Sequence, residues 1–321
     1  MDRPLLRRSL LGGLAALPAL AHAQGRPNVR IVVPYPPGGT VDATARFIGA
    51  RAAEILQQNW VIESRSGANG AIGADVVVRA APDGLTLLYS NEVLLMLRHV
   101  QRNVPFNAVQ DLSPIVRTAI VPQILVGSPR HTTEETLPAL LEAIRKTPSD
   151  FTFATPTLGS LGQFGAAALG HSLGVDVTIV PYRGTAPAVS DILAGAVKLM
   201  ISPAGGVLPL IRDGQLRALA VCSPQRIAAL PDVPTLAESG FPELVFESWT
   251  GMWGPRGLPQ DIAARVHAAV TTATNEPDSV RRILALGCTP INEPMDQMPV
   301  VIAREEARNP TLVRLARMTP E

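Results

Sequence analysis

Three short stretches of the 321-residue chain combine residue types from which a ligand site can be built. The first runs Pro34-Tyr35-Pro36-Pro37-Gly38-Gly39-Thr40-Val41-Asp42. The second is Thr155 to Ser160, with Thr157, Gly159 and Ser160. The third is Pro181-Tyr182-Arg183-Gly184-Thr185-Ala186-Pro187. Each carries glycine and hydroxyl side chains, follows a run of strand character and leads into a segment of helical period. The chemistry on offer is anion binding. The first N–H groups of a helix have no intrahelical partner, and the helix dipole adds about 0.3–1 kcal/mol of attraction for negative charge. A hydrogen bond to a charged group contributes about 1.5–3 kcal/mol. Two such loops facing each other would hold a carboxylate at about −8 kcal/mol, a micromolar affinity. For any one loop alone, a plain tight turn explains the same residues.

Catalytic and metal signatures are missing. A serine-hydrolase elbow needs Gly-x-Ser-x-Gly, whereas Leu158-Gly159-Ser160-Leu161-Gly162 has its glycine adjacent to the serine. Gly67, Gly70 and Gly73 are spaced by threes, which is neither a dinucleotide fingerprint nor a phosphate loop. His99, His131, His171 and His267 do not pair at metal-ligand spacing. Asp42 has three readings: a general base, a first-turn acid favoured by the helix dipole, or an acceptor that fixes its own loop. Asp191 reads as solvated or structural. No enzyme activity, metal or cofactor is expected. A 46% hydrophobic and 17% charged composition rules out a disordered chain. The net charge of +1 lacks the basic footprint of a nucleic-acid binder.

Arg3, Arg7 and Arg8, the apolar run Leu10–Leu20 and Ala21-His22-Ala23 describe a secretory signal peptide over residues 1–23, cleaved after Ala23. Arg7-Arg8 is compatible with twin-arginine export. Cleavage removes Arg3, Arg7, Arg8 and Asp2, so the net charge falls from +1 to −1. Strands and helices then alternate: Val29–Val33, then a helix over 41–57; Trp60–Glu63, then 72–79; Leu85–Tyr89. An ambiguous apolar stretch follows. Strands are predicted at 113–117 and 124–127, and a helix over 137–145. Further strands lie at 151–154, 177–180, 198–201 and 216–222, with helices over 160–173 and 186–193. The chain closes with an extended segment at 245–253 and helices over 262–274, 278–286 and 298–308. This is an α/β chain with largely parallel sheets, whose ligands sit where strands end and helices begin. Cys222 and Cys288 read as two separate thiols.

The ordered motifs resemble those of solute receptors of tripartite tricarboxylate transporters, also called Bug receptors. Val32-Val33-Pro34-Tyr35-Pro36-Pro37-Gly38-Gly39-x-x-Asp42-x-x-Ala45-Arg46 is similar to the family's opening signature. Arg65-x-Gly67-Ala68-x-Gly70-x-Ile72-Gly73 and Pro82-Asp83-Gly84-x-Thr86-Leu87 follow. Pro181-Tyr182-Arg183-Gly184-x-x-Pro187-Ala188-x-x-Asp191-x-x-x-Gly195 is the second strong block, with Leu230-Pro231-Asp232-Val233-Pro234-Thr235 and Trp249-x-Gly251 behind it.

The resemblance implies a two-lobed periplasmic-binding-protein clamshell, type II-like, each lobe a mostly parallel sheet flanked by helices. Lobe 1 would be residues 24–123 plus 247–321, and lobe 2 residues 124–246, with hinge crossings near 121–127 and 243–250. It implies a small carboxylate held between the lobes by Tyr35, Pro36, Gly38, Gly39 and Thr40 on one side and Gly184, Thr185 and Ala186 on the other. Asp42, Thr157, Ser160, Gln163, Tyr182 and Ser202 complete the candidate set. The chain departs from the family pattern at Gln163-Phe164, at the apolar run 93–97 and at Ser202, where an acid is common. Without that acid an amino-acid ammonium lacks a partner, so a carboxylate with an apolar or aromatic body and no amine is expected. The implied function is a monomeric, exported receptor that hands its ligand to a membrane permease, with no nucleic-acid partner. A signalling receptor built on the same clamshell, and more remotely an exported hydrolase using Ser160 or Asp42, are the alternatives.

Overall fold

A computed structural model describes residues 26–318; the signal-peptide segment lies outside the described residues. Strand β1 (Asn28–Val33), helix α1 (Thr40–Leu56), β2 (Asn59–Ser64), α2 (Ala71–Val78), β3 (Thr86–Asn91), α3 (Val93–Val100) and α4 (Ala108–Asp111) come first. The long strand β4 (Leu112–Gly127) leads to α5 (Leu137–Lys146), β5 (Thr152–Thr155), α6 (Leu161–Leu173), β6 (Thr178–Pro181), α7 (Thr185–Ala194), β7 (Leu199–Pro203), α8 (Ala204–Arg212) and β8 (Arg217–Val221). The chain returns through β9 (Glu247–Pro255), α9 (Gln260–Asn275), α10 (Pro277–Ala285), β10 (Thr289–Pro290) and α11 (Gln297–Leu315).

The strands form one continuous sheet in the order β2-β1-β3-β9-β4-β7-β5-β6, with β8 and β10 also on β4. Pairing is parallel within β1, β2 and β3 and within β5, β6 and β7. Every pair involving β4 or β9 is antiparallel. Strand β4 joins the two lobes: it pairs with β9 through Pro122, with β7 from Gln123 onward and with β8 from Ile124 onward.

Each lobe's sheet is covered on both faces, which is why its strands read as continuous apolar runs. In lobe 1, Ile31 and Val33 pack with Ala45 and Ile48 of α1 and Val266 of α9. Val32 points the other way, to Ala74 of α2, Leu94 and Leu97 of α3 and Trp253 of β9. In lobe 2, Phe153 and Ile201 pack on Phe164 and Leu169 of α6, while Met200 meets Ile192 of α7 and Leu208 of α8. Two helices serve both lobes. Met96 and Val100 of α3 and Leu312 of α11 belong to the lobe 2 cluster. Cys222 and Cys288 are both buried free thiols in different lobes. Burial pushes each up to about 12, so both stay protonated and inert.

Candidate functional site

Strand β1 ends at Val33, and the loop that follows is braced from behind. A Cβ on Gly73 would lie 2.6 Å from the Arg65 carbonyl oxygen and 2.9 Å from Pro34 Cα. Only glycine lets α2 approach the end of β1 this closely. The Tyr35 hydroxyl donates to Asn91 Oδ1 at 2.5 Å, tying the loop to the end of β3. Burial holds this phenol far above its ordinary pKa. The Gly38 N–H donates to Asp42 Oδ2 at 3.0 Å, and Arg46 donates to both Asp42 oxygens at 2.8 and 3.0 Å. Burial works to raise the Asp42 carboxyl, but the Arg46 hydrogen bonds, the Gly38 amide and the Arg46 charge outweigh it and hold the group below its usual range. Asp42 and Tyr35 therefore hold the loop in shape. Pro36, Gly38 and Gly39 stand exposed, Thr40 is half-buried, and no side chain caps α1.

In lobe 2 the second and third loops are stapled together. The Tyr182 N–H donates to the Thr155 carbonyl at 2.9 Å and the Gly184 N–H to the Pro156 carbonyl at 2.7 Å. The start of α6 closes on itself. Ser160 Oγ accepts from the Gln163 N–H at 3.4 Å and lies 2.6 Å from Thr155 Oγ1. The Gln163 side-chain carbonyl turns back to accept the Gly159 N–H at 2.7 Å. Thr157 sits half-buried in the same loop. The start of α7 has no side-chain cap. Gly184 precedes it at φ 122°, a backbone conformation suited to glycine. The Tyr182 hydroxyl donates to Asp191 Oδ2 at 2.6 Å, and burial together with Asp191 pushes the phenol up to about 12. Thr185 and Ala186 thus present their N–H groups, while Pro187 has none.

A third helix start joins them. Strand β7 carries Ser202, fully buried and with no partner for its Oγ among the described residues. Pro203 then turns the chain into α8, again without a side-chain cap. A Cβ on Gly205 would lie 2.5 Å from Thr40 Oγ1, and one on Gly206 would lie 2.9 Å from Thr185 Cγ2. The starts of α1, α7 and α8 therefore meet at one place, with lobe 1 on one side and lobe 2 on the other. Other contacts lock the lobes together nearby. Asn69 Nδ2 donates to the Leu158 carbonyl at 3.1 Å. A Cβ on Gly287 of lobe 1 would lie 2.1 Å from Leu208 Cδ1 of α8.

The geometry sorts the candidate residues. The side chains of Thr40 and Thr185 converge on Gly205 and Gly206, with Ala186 and exposed Gly39 adjacent in the chain. Tyr35, Asp42, Ser160 and Tyr182 commit their polar atoms to partners within the protein, as does the Gln163 carbonyl. Gly38 and Gly184 have already committed their N–H groups. Sequence reasoning missed Gly205 and Gly206. The signal was present: Pro203-Ala204-Gly205-Gly206 follows an apolar strand as the other loops do. No group of three or more His, Cys, Asp or Glu suited to a metal occurs among the described residues.

Comparison with known proteins places this arrangement. Over residues 44–317 the chain matches the family described as "Tripartite tricarboxylate transporter family receptor". It is 34% identical to Protein BugT of Bordetella pertussis, covering 94% of this chain and 93% of BugT. A structure of an R. palustris protein with adipate superposes at a TM-score of 0.85 and 30% identity, covering 92% of this chain and 98% of the other. MatC from Rhodopseudomonas palustris, with bound malate, superposes at 0.76 and 29% identity, covering 90% and 98%. The two lobes, their glycine loops and these matches along most of the chain lead to one conclusion: the protein belongs to the tripartite tricarboxylate transporter receptor family.

Proposed function

We propose that this protein is an exported receptor that captures a small dicarboxylate between its lobes and delivers it to a membrane permease. The observation that carries the reading is the meeting of three uncapped helix starts, α1 from lobe 1 and α7 and α8 from lobe 2. Their N–H groups supply the attraction that the near-zero net charge does not. The relatives solved with adipate and malate support the ligand class. Ser202, uncharged and buried where an ammonium would want an acid, favours a ligand without an amine. The binding residues in this reading are Thr40, Thr185, Ala186, Gly205 and Gly206, with Gly39, Thr157 and Ser202 at the edge. Tyr35, Asp42, Ser160, Gln163 and Tyr182 shape the loops.

The lobes, 24–123 with 247–321 and 124–246, hinge where β4 changes partners between Pro122 and Gln123 and where β9 begins at Glu247. Closing brings Thr40 against Gly205, and only the closed form presents a matching surface to the permease. The protein acts as a periplasmic monomer after loss of residues 1–23. A thermal-shift screen of mono-, di- and tricarboxylates and amino acids tests the reading, followed by calorimetry on the hits. A ligand at 100 times its Kd stabilises by about 2.7 kcal/mol, giving a clear rise in melting temperature for a dicarboxylate such as adipate. Stabilisation by amino acids alone, or by no carboxylate, would overturn it.

A further inference from the structure

The chain leaves β3 at Asn91, and the next residue, Glu92, is buried at the entry to α3. Its Oε2 accepts hydrogen bonds from Ser248 Oγ and, at 3.2 Å, from the Trp249 backbone N–H. Both donors lie on β9, where the chain returns from lobe 2. Glu305 on α11 is equally buried and accepts the Trp249 indole N–H at 2.8 Å. One tryptophan is thus gripped by two carboxyl groups, one on its backbone and one on its ring. Both glutamates line a single cavity of about 10 Å³, room for one water. Arg308, Asn309 and, from lobe 2, Gly159 and Leu161 share that cavity. It lies at the junction of the lobes, against the two helices that serve both.

Neither Glu92 nor Glu305 forms an ion pair among the described residues. Arg308 and Arg304 are on α11, and Arg308 Nε has no partner among the described residues. Arg117 on β4 is engaged by both oxygens of Glu293 at 2.6 and 2.7 Å. Glu247 on β9 adds a third acid, itself raised by burial. The Gly159–Leu161 segment brings no titratable group. Burial and the Glu305 charge push Glu92 up to about 7. Burial raises Glu305 too, against the pull of Trp249, Arg308, Arg117 and Arg304. Tyr35, in the loop that leads into α1, donates at 2.5 Å to Oδ1 of Asn91, the residue just before Glu92.

We propose that Glu92 and Glu305 share one proton near neutral pH, and that an anion entering the cleft draws that proton in, so that capture strengthens as pH falls. The coupling rests on the anion-receptor reading above; the shared proton does not. The physics is linkage. Negative charge at the start of α1, whose loop Tyr35 ties to Asn91, the neighbour of Glu92, makes charge on Glu92 more costly, so the bound state holds more protons than the free state and affinity must rise on acidification. Glu92 acts here as a positioning residue, through β9 and the lobe junction. The same proton affects stability. A carboxyl raised on folding keeps its proton where the unfolded chain has lost it. Stability therefore falls as pH rises from the unfolded value, about 4.5, to about 7, and is level above.

Two measurements on the whole folded chain test this. The first follows side-chain carboxyl carbons of labelled glutamate by NMR from pH 4 to 9. One signal is expected to titrate near 7 and to be absent in Glu92→Gln, which keeps an acceptor for Ser248 and Trp249. Glu92→Gln should also melt above the wild type at pH 8. Glu305→Gln provides a second neutral variant if the first folds poorly. A wild type in which every glutamate titrates below 5 overturns the shared proton. The second measurement is calorimetry with adipate as the probe at pH 6.2 and 8.0. Binding is expected to be about fivefold or more weaker at the higher pH, and independent of pH in Glu92→Gln. Equal wild-type affinities with a normal NMR titration overturn the coupling alone. Absence of binding by adipate or any other carboxylate overturns the receptor reading and the coupling together, while the NMR titration still judges the pair.

Discussion

Helices α6 and α7 begin side by side in the same lobe, from parallel neighbouring strands, through loops tied by two backbone hydrogen bonds. Their starts nevertheless do opposite things. At α6, Ser160 Oγ accepts the Gln163 N–H of the helix, and the Gln163 side chain folds back to accept the Gly159 N–H of the preceding loop. At α7 no side chain caps the start, and Thr185 stands against Gly206 of α8. A helix start that answers its own donors has little left for an anion. One that does not leaves its donors to water or to a ligand. On the proposed reading, the difference separates a structural turn from a binding turn of nearly the same composition.

The strongest way to break the contrast is to block the place where the uncapped starts meet. Gly205→Leu puts side chain where even a Cβ would come 2.5 Å from Thr40 Oγ1. Overpacking of this kind costs about 1–3 kcal/mol or more. Calorimetry should show dicarboxylate affinity down by about 100-fold, with scattering from the ligand-saturated protein less compact than wild type. Removing a single donor comes next. Proline is well tolerated at the first residue of a helix but lacks an N–H. Thr185→Pro, and separately Thr40→Pro, should each weaken binding by about 10–100-fold, the worth of a charged hydrogen bond. Far-UV dichroism should be unchanged. An unaltered Kd in both would remove α1 and α7 from the site.

The control sits next door. Ser160→Ala should cost about 1 kcal/mol of stability through the lost cap, lowering the melting temperature by about 2–4 °C. Its dicarboxylate Kd should stay within a factor of two. A large loss of affinity there would erase the distinction between the two starts. The smallest effect concerns salt. Donors inside a closed cleft are screened far less than surface charges, so raising NaCl from about 0.05 to 0.5 M should change Kd by less than about threefold. A steep salt dependence would point instead to long-range attraction by exposed arginines such as Arg183.

Much of this was legible before the structure. The strand-to-helix order and the three glycine loops follow from local pattern and turn chemistry, and the separation of the two thiols from the two-lobed architecture that the resemblance implies. What the pattern hid has physical reasons. Helix α3 gave no period because it is apolar on two sides: Leu94 and Leu97 face the sheet of lobe 1, while Met96 and Val100 enter the core of lobe 2. Helix α8 was missed because two glycines and Pro209 lower its propensity, and burial of Val207 and Leu208 compensates. Strand β4 read as two strands because Pro122 interrupts it where it changes partners. Ser160 and Gln163 were read as ligand groups, although Ser-x-x-Gln at a helix start is also a capping signature. Composition marks a loop as able to bind; only the hydrogen bonds show whether its donors are already engaged.

The central claim is that backbone donors of α1, α7 and α8, and not those of α6, hold the anion. Amide NMR of the labelled protein during saturation with the best dicarboxylate tests it most directly. The account predicts large downfield shifts of the Thr40, Thr185 and Gly205 amide protons, with those of Leu161, Gly162 and Gln163 nearly still. Shifts confined to the α6 amides, with Thr40, Thr185 and Gly205 unmoved, would contradict it.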